Sequence, residues 1–245
     1  MTHTTTLAGQ SVLITGANRG LGHALVDAAL DRGAQRVYAA ARRPVDHPDR
    51  RVVPVRLDVT DPEQIRTAAA AVDGLDVLVN NAGVCTVDEL TDPAVVENHL
   101  AVNLFGTYRV TQAFLPRLRT SRGAVVNILS LAALATVPVT PAYAISKAAA
   151  FSLTQSLRFL LAGQGVRVHA ALPGPMNTDM IREWDLPKAE PAAVAGAILD
   201  GVASGQEEIF PDPMSATLAS GWADGIVKAL ERANAAAARA VAVSA

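Results

Sequence analysis

Two hydrophobic periods alternate along the chain. Short β-branched and aliphatic runs at 11–15, 36–41, 52–58, 75–80, 124–130, 166–172 and 208–211 are bounded by turn residues and have the length of strands. Between them lie alanine-rich segments with apolar residues at helical spacing, near 20–32, 61–72, 92–120, 143–163, 190–201 and 214–238. Strands alternating with helices predict repeated βαβ units. The expected fold is therefore α/β: about seven strands in one doubly wound parallel sheet, ordered 3-2-1-4-5-6-7, with helices on both faces. Ligands of such sheets bind beyond the carboxyl ends of the strands. The unusual residues collect at those ends: Thr15-Gly16, Asp58, Asn80-Asn81, Ser130 and Pro173-Gly174.

Composition narrows the function classes. With 245 residues, half of them hydrophobic, the chain can bury a large core and is expected to form a single domain over 1–245. Residues 1–10 read as a flexible start, and 214–245 as a C-terminal helix with an alanine-rich tail. A net charge of −2 and the lack of any lysine or arginine run argue against nucleic acid as a partner. Residues 1–10 have no leader character, and no stretch reaches the roughly 18 apolar residues of a membrane span. A soluble, cytoplasmic protein is expected. The one cysteine, Cys85, can form no internal disulfide and has no Cys or His partners at ligand spacing, so no metal is expected. With no histidine near it in sequence, it reads as a small buried hydrophobe and not a nucleophile.

The first strand runs into Thr15-Gly16-Ala17-Asn18-Arg19-Gly20-Leu21-Gly22. Its glycines allow positive φ and close backbone approach at a helix N-terminus, where a pyrophosphate fits. The spacing is not that of the common dinucleotide fingerprint, and a tight βα connection is the alternative reading. The octet resembles the T-G-x-x-x-G-x-G motif of the short-chain dehydrogenase/reductase family. The resemblance implies a single Rossmann-like sheet with a dinucleotide across its strand ends. NAD enzymes place an acid about 20 residues beyond the glycines, on the ribose hydroxyls. This chain has Ala41-Arg42-Arg43 there, and a guanidinium can bind a 2′-phosphate that a carboxylate would repel. Arg42 is the first candidate for that contact and Arg19 the second, so NADP(H) is the expected cofactor; a solvated arginine pair is the alternative. Asp58-Val59 resembles the family's adenine contact, although Asp58 could instead cap the next helix, a task that suits Asp61 before Pro62 better. Asn80-Asn81-Ala82-Gly83 matches the family's N-N-A-G segment, with structural support and cofactor contact both open to it.

Tyr143 and Lys147 stand four apart, on one face of a helix begun near Pro141, and Ser130 lies 13 residues before the tyrosine at a strand end. With Asn103 in Ala101-Val102-Asn103-Leu104, they resemble the family's full catalytic set. Carbonyl reduction needs a hydride on carbon, a proton on oxygen, and stabilisation of the charge between. The resemblance makes Tyr143 the proton donor or base and has Lys147 lower its pKa and hold the nicotinamide ribose. Ser130 would bond the substrate oxygen. Asn103 would interrupt its helix to hold a relay water, the alternative being a polar surface residue. Pro173-Gly174-Pro175-Met176-Asn177-Thr178 resembles the P-G-x-x-x-T segment, implying that Pro173, Gly174, Met176 and Thr178 meet the carboxamide.

Val84, Cys85, 131–139 and a lid over 176–186 are the expected pocket walls; being mostly small or aliphatic, they suggest an apolar ketone or aldehyde. Arg182, Glu183 and Trp184 could face substrate, solvent or a second subunit. The ending Glu208-Ile209-Phe210-Pro211-Asp212-Pro213 departs from the family's V-D-G-G pattern, which weakens the case for a tetramer. A homodimer through the segments 92–120 and 143–163 is expected, with a tetramer or monomer as alternatives. The rival function is a non-enzymatic NADP(H) sensor of the same fold, although such proteins often lose the tyrosine or lysine retained here.

Overall fold

All seven expected strands form one parallel sheet in the expected order, β3-β2-β1-β4-β5-β6-β7, in the computed structural model, which describes residues 7–243. They are β1 (Ser11–Thr15), β2 (Arg36–Ala41), β3 (Val52–Arg56), β4 (Val77–Asn80), β5 (Ala124–Ile128), β6 (Arg167–Ala171) and β7 (Glu208–Ile209). The helices are α1 (Gly20–Asp31), α2 (Pro62–Ala71), α3 (Pro93–His99), α4 (Thr107–Ser121), α5 (Pro141–Ala162), α6 (Pro191–Ala203), α7 (Pro213–Ala216), α8 (Ala219–Ala223) and α9 (Ile226–Val243). Helices cover both faces, so β4 and β5 are buried at every position. On one face Val12, Ile14 and Val126 pack with Leu25 of α1 and Ile198 of α6. On the other, Leu13, Leu78 and Val125 pack with Phe114 of α4 and Leu157 of α5. Chain order reverses beside β1, which pairs with β2 on one side and β4 on the other. The crevice at this switch point is where a ligand is expected.

Several boundaries differ from the apolar pattern, for identifiable reasons. β3, β5, β6 and β7 stop before their apolar runs do: the amides of Leu57, Leu129 and Leu172 still reach Ala41, Ala171 and Ile209 of the neighbouring strands (2.9, 2.8 and 2.8 Å), and the residues beyond them build the turns above the sheet. Proline opens α2, α3, α5, α6 and α7, where its missing N–H costs nothing, and this starts α5 two residues before Tyr143. The single helix expected over 92–120 is α3, a π-helical segment at Leu100–Gly106, and α4. The one expected over 214–238 breaks into α7, α8 and α9: Thr217 Oγ1 bonds back to Met214 O (2.7 Å) after α7, and Gly225 precedes α9. Residues 7–10 are not loose. Leu7 is buried, its amide donates to Arg32 O (2.9 Å), and Gln10 O accepts from Gln35 N (2.8 Å). Residues 1–6 and the last two of the alanine-rich tail lie outside the described residues. Among the described residues no helix is long and apolar enough to cross a membrane.

Two buried polar networks hold the outer elements. The first ties α9 to α5 and β7: Lys228 Nζ lies 2.6 Å from Glu207, 3.0 Å from Glu208 and 2.9 Å from Glu231, while Arg158 lies 2.8 Å from Glu208 and 2.6 Å from Glu231. Each buried cation thus has at least two carboxylates, which offsets its desolvation. The second links β4, β5, α4 and α5. Asn80 Nδ2 donates to Thr111 Oγ1 and to Asn127 Oδ1, and Asn127 Nδ2 donates to Thr154 Oγ1, all at 2.9 Å. Asn127→Ala leaves buried groups on both neighbours unpaired and is expected to cost roughly 2–4 kcal/mol in urea unfolding. A loss under about 0.5 kcal/mol would show that the network is not a structural tie.

Candidate active site

The glycine turn and the N-N-A-G turn leave neighbouring strands and are pressed together. Thr15 Oγ1 accepts from Asn81 N and Ala82 N (both 3.0 Å), and Asn81 Nδ2 donates to Thr15 O (2.8 Å) and Gly16 O (3.3 Å). Gly16 has φ +66°, and a Cβ there would meet Ala82 Cα at 3.0 Å; one on Gly22 would meet Gly16 O at 2.1 Å. Only glycine fits at either position. The N-N-A-G segment is thus a brace: Asn80 serves the buried network, and Asn81 and Ala82 hold the glycine turn. α1 begins at Gly20 (φ +53°), so its first amides open on the switch-point crevice without intrahelical acceptors. Asn18 and Arg19 are exposed beside them, whereas Leu21 is a core side chain, so only its backbone can meet a ligand.

The other expected cofactor positions surround this crevice. Arg42 is exposed at the end of β2. Arg19 Nη1 lies 3.6 Å from Asp179, in the segment that follows β6. Asp58 Oδ1 accepts from Thr60 N (2.9 Å) and Thr60 Oγ1 (2.7 Å), and it is Asp61 that caps α2 by accepting from Glu63 N and Gln64 N. Val59 is buried against Gly106. Thr178 reaches the glycine turn, its Cγ2 3.3 Å from where a Cβ on Gly20 would stand. Met176 and Asn177 are tied to Ala189, Asn177 N donating to Ala189 O (2.9 Å). Unpaired helix amides, two flanking arginines and room above Gly83 suit an anionic dinucleotide.

The four expected catalytic residues meet on the β4–β5 side. Ser130 leaves β5, its Oγ accepting from Ala132 N (3.1 Å), and its side chain lies near enough to the Tyr143 phenol to favour the phenolate. Lys147, one turn along α5, has Nζ 5.6 Å from the Tyr143 ring centroid and donates to Ile128 O (2.8 Å). A Cβ on Gly83 would lie 3.2 Å from Asn103 Oδ1 and 3.7 Å from Lys147 Nζ, so this glycine leaves space beside both. Asn103 sits within the π-helical segment, and its side chain clasps the Val84 peptide group on both sides: Val84 N donates to Oδ1 (2.9 Å) and Nδ2 donates to Val84 O (3.0 Å). The same Nδ2 donates to Ser146 Oγ (2.8 Å), one residue before Lys147. Asn103 is 1% exposed, which removes the surface reading.

Burial dominates the electrostatics. It holds the Tyr143 phenol well above its usual range; nearby Cys85 adds to this, and nearby Ser130 opposes it. It pushes the Lys147 ammonium down to about 8, Cys85 countering. Cys85 itself is raised to about 11 by burial, against the pull of Lys147 and nearby Thr140. A thiol raised that far is a weak nucleophile, in line with its expected inert role.

Several residues of the site had no visible sequence signal. His99, wholly buried, stands edge-on to Tyr143 with ring centroids 6.5 Å apart; its Nδ1 lies 2.7 Å from Val95 O, and its Nε2 accepts from Thr86 N (3.3 Å). Asp88 reaches 54 residues along the chain to accept from Ala142 N (3.2 Å) at the start of α5. Of the expected wall 131–139, Ala132 and Ala133 are buried in the core, while Leu131, Leu134 and Val137 stay half-buried near the site. Arg182 and Glu183 are exposed and Trp184 is half-buried.

A doubly wound sheet with a glycine turn at its switch point and a Ser-Tyr-Lys group across the crevice defines a Rossmann-like fold of the short-chain dehydrogenase type. The chain belongs to the short chain dehydrogenase family, whose model matches residues 10–189. It is 37% identical over 194 residues to estradiol 17-beta-dehydrogenase 2 of Mus musculus, covering 72% of this chain and 51% of that protein. The chain thus spans about half the length of that relative. With L-fucose dehydrogenase of Mus musculus it shares 32% identity over 212 residues, 82% of this chain and 77% of that one. Its fold matches a short chain dehydrogenase from Burkholderia cenocepacia in complex with NADP, with TM-score 0.83 and 37% identity over 89% of this chain and 95% of the other.

The folded value of Lys147 lies below its ordinary 10.5, so the buried ammonium costs stability below about pH 8, and that cost fades as pH rises from about 8 to 10.5. Lys147→Met should therefore leave the cofactor-free protein at pH 7 no less stable than the parent, and should remove this rise in stability. Thermal unfolding of both proteins across that range checks it. A loss above about 2 kcal/mol at pH 7 would make the ammonium a net stabiliser.

Proposed function

We propose that this protein is an NADP(H)-dependent carbonyl reductase or alcohol dehydrogenase acting on an apolar ketone or aldehyde. The observation that carries the reading is the gathering of Ser130, the Tyr143 phenol and the Lys147 ammonium, whose Nζ lies 5.6 Å from the tyrosine ring centroid, at the crevice at which α1 begins. NADPH, when bound, supplies the hydride. The turn Gly16, Asn18, Gly20, Leu21 and Gly22 would hold its diphosphate through backbone amides, and Asp58, Val59, Asn81, Ala82 and Gly83 would line its adenine and ribose side. Arg42 would bind the 2′-phosphate, with Arg19 as a second cation once it leaves Asp179. The NADP-bound relative from Burkholderia cenocepacia supports this preference.

Tyr143 is the proton donor at the substrate oxygen. Burial keeps its phenol protonated at neutral pH, the form that reduction requires. Ser130 donates a hydrogen bond to the same oxygen and fixes its distance from the phenol. Lys147 favours the phenolate left after proton transfer and holds the ribose hydroxyls. Asn103 positions Val84 and Ser146 around Lys147 and stands where a water could link the lysine to solvent. Pro173, Gly174, Met176 and Thr178 would hold the carboxamide. Val84, Cys85, Leu134 and Val137 are apolar or neutral, which suits an uncharged substrate. A homodimer through the outer faces of α4 and α5 accords with the exposure of Phe105, Tyr108 and Ile145.

NADPH oxidation with a panel of aliphatic and aromatic ketones and aldehydes should show turnover, with kcat/KM higher for NADPH than for NADH. Binding without turnover on any member would favour the sensor, and an NADH preference would remove Arg42 from its role. Tyr143→Phe should lower kcat by about 10²–10⁴ with little change in NADPH affinity. Near-full activity in that variant would end the mechanism.

A further inference from the structure

β6 and β7 end side by side, Leu172 N donating to Ile209 O (2.8 Å), so the turns leaving them meet at the carboxyl edge of the sheet. Asp212, 5% exposed, accepts hydrogen bonds at both carboxylate oxygens. Met214 N (3.1 Å) and Ser215 N (3.0 Å) donate to Oδ1, and Ser215 Oγ donates to Oδ2 (2.7 Å); these belong to the start of α7. The fourth donor is Gly174 N, 2.8 Å from Oδ2 and 38 residues earlier in the chain. A Cβ on Gly174 would stand 3.0 Å from Asp212 Oδ1. The oxygen of the same peptide unit, Pro173 O, accepts from Leu131 N (3.0 Å), next to Ser130. The Pro173–Gly174 peptide plane is thus fixed from both sides, by the serine segment and by Asp212.

Capping a four-residue helix needs one acceptor, and Asn serves there as well as Asp. A cap leaves the long-range bond to Gly174 unexplained. We propose that Asp212 is a positioning residue for the nicotinamide end of the cofactor site: it sets the Gly174 peptide from which the segment to Thr178 departs, and so makes the C-terminal part of the chain, beyond the family match, a component of that site. The proposal rests on the proposed function, in which 173–178 face the carboxamide.

Asp212→Asn keeps an oxygen for the helix amides and turns an NH₂ group towards Gly174 N. Ser215→Ala removes the reciprocal cap and leaves the Gly174 bond. Both variants and the parent are titrated with NADPH (with NADH if that binds tighter) and with the adenosine half alone, adenosine 2′,5′-bisphosphate (ADP for NADH). Amide exchange at Gly174 and thermal unfolding are followed without ligand. Asp212→Asn should raise Gly174 exchange about tenfold or more and weaken dinucleotide binding at least about fivefold, while the adenosine half binds as to the parent. Ser215→Ala should lower the melting temperature and leave the ratio of the two affinities unchanged. An Asp212→Asn variant with the parental ratio, or one in which both ligands weaken alike, overturns the positioning role, as does a Ser215→Ala variant that shifts the ratio equally. A parent that binds neither dinucleotide overturns the proposed function, and this proposal with it.

Discussion

The closeness of two turns sets the geometry on which the site depends. Thr15, the last residue of β1, presents one hydroxyl to two amides of the neighbouring N-N-A-G turn, and Asn81 returns two bonds to the glycine turn. At this separation no side chain fits on Gly16 or Gly22. The approach aims the N-terminus of α1 at the crevice and leaves Gly83 facing Asn103 and Lys147. The anion seat and the proton-transfer group of the proposed function, drawn from opposite halves of the sheet, are thereby placed side by side.

Much of this was legible in the residues, and the limits have physical causes. Strand order followed from period and alternation, since a buried parallel sheet writes itself as short apolar runs. The glycine turn, Ser130, Tyr143 and Lys147 were visible because they sit at fixed local spacings next to strand ends. His99, Asp88 and Asp212 were not, because each acts through a partner distant in sequence and none interrupts a local pattern. Asp212 was seen only as part of a departure from the family's ending. The family resemblance pointed to an interruption at Asn103, but the extent of the π-helical segment was hidden within a helix whose apolar spacing looked regular, and the breaks between α7, α8 and α9 are set by single hydroxyl and glycine positions inside an alanine-rich background that favours helix throughout.

The site holds its charges against the preference of its surroundings. Burial favours a neutral phenol and a neutral amine, yet the proposed chemistry needs a phenolate and an ammonium to be accessible in turn. The cost is met by fixed neighbours. Ser130 lies beside the phenol, Ile128 O accepts a hydrogen bond from the lysine ammonium, and Asn103 is held by three bonds to Val84 and Ser146. Polar groups here are strained electrostatically and satisfied geometrically, a combination that stability alone would not select.

The π-helical segment at Leu100–Gly106 amounts to one residue too many for a regular helix. Removing a residue there would let α3 and α4 fuse into a continuous α-helix with better backbone bonding, while rotating the residues before the deletion by about 100° relative to those after it. His99 and Asn103 could no longer both face the site. The wide turn therefore exchanges regular backbone bonding for the placement of His99 and Asn103, and shortening this helix would trade that placement for a more regular scaffold.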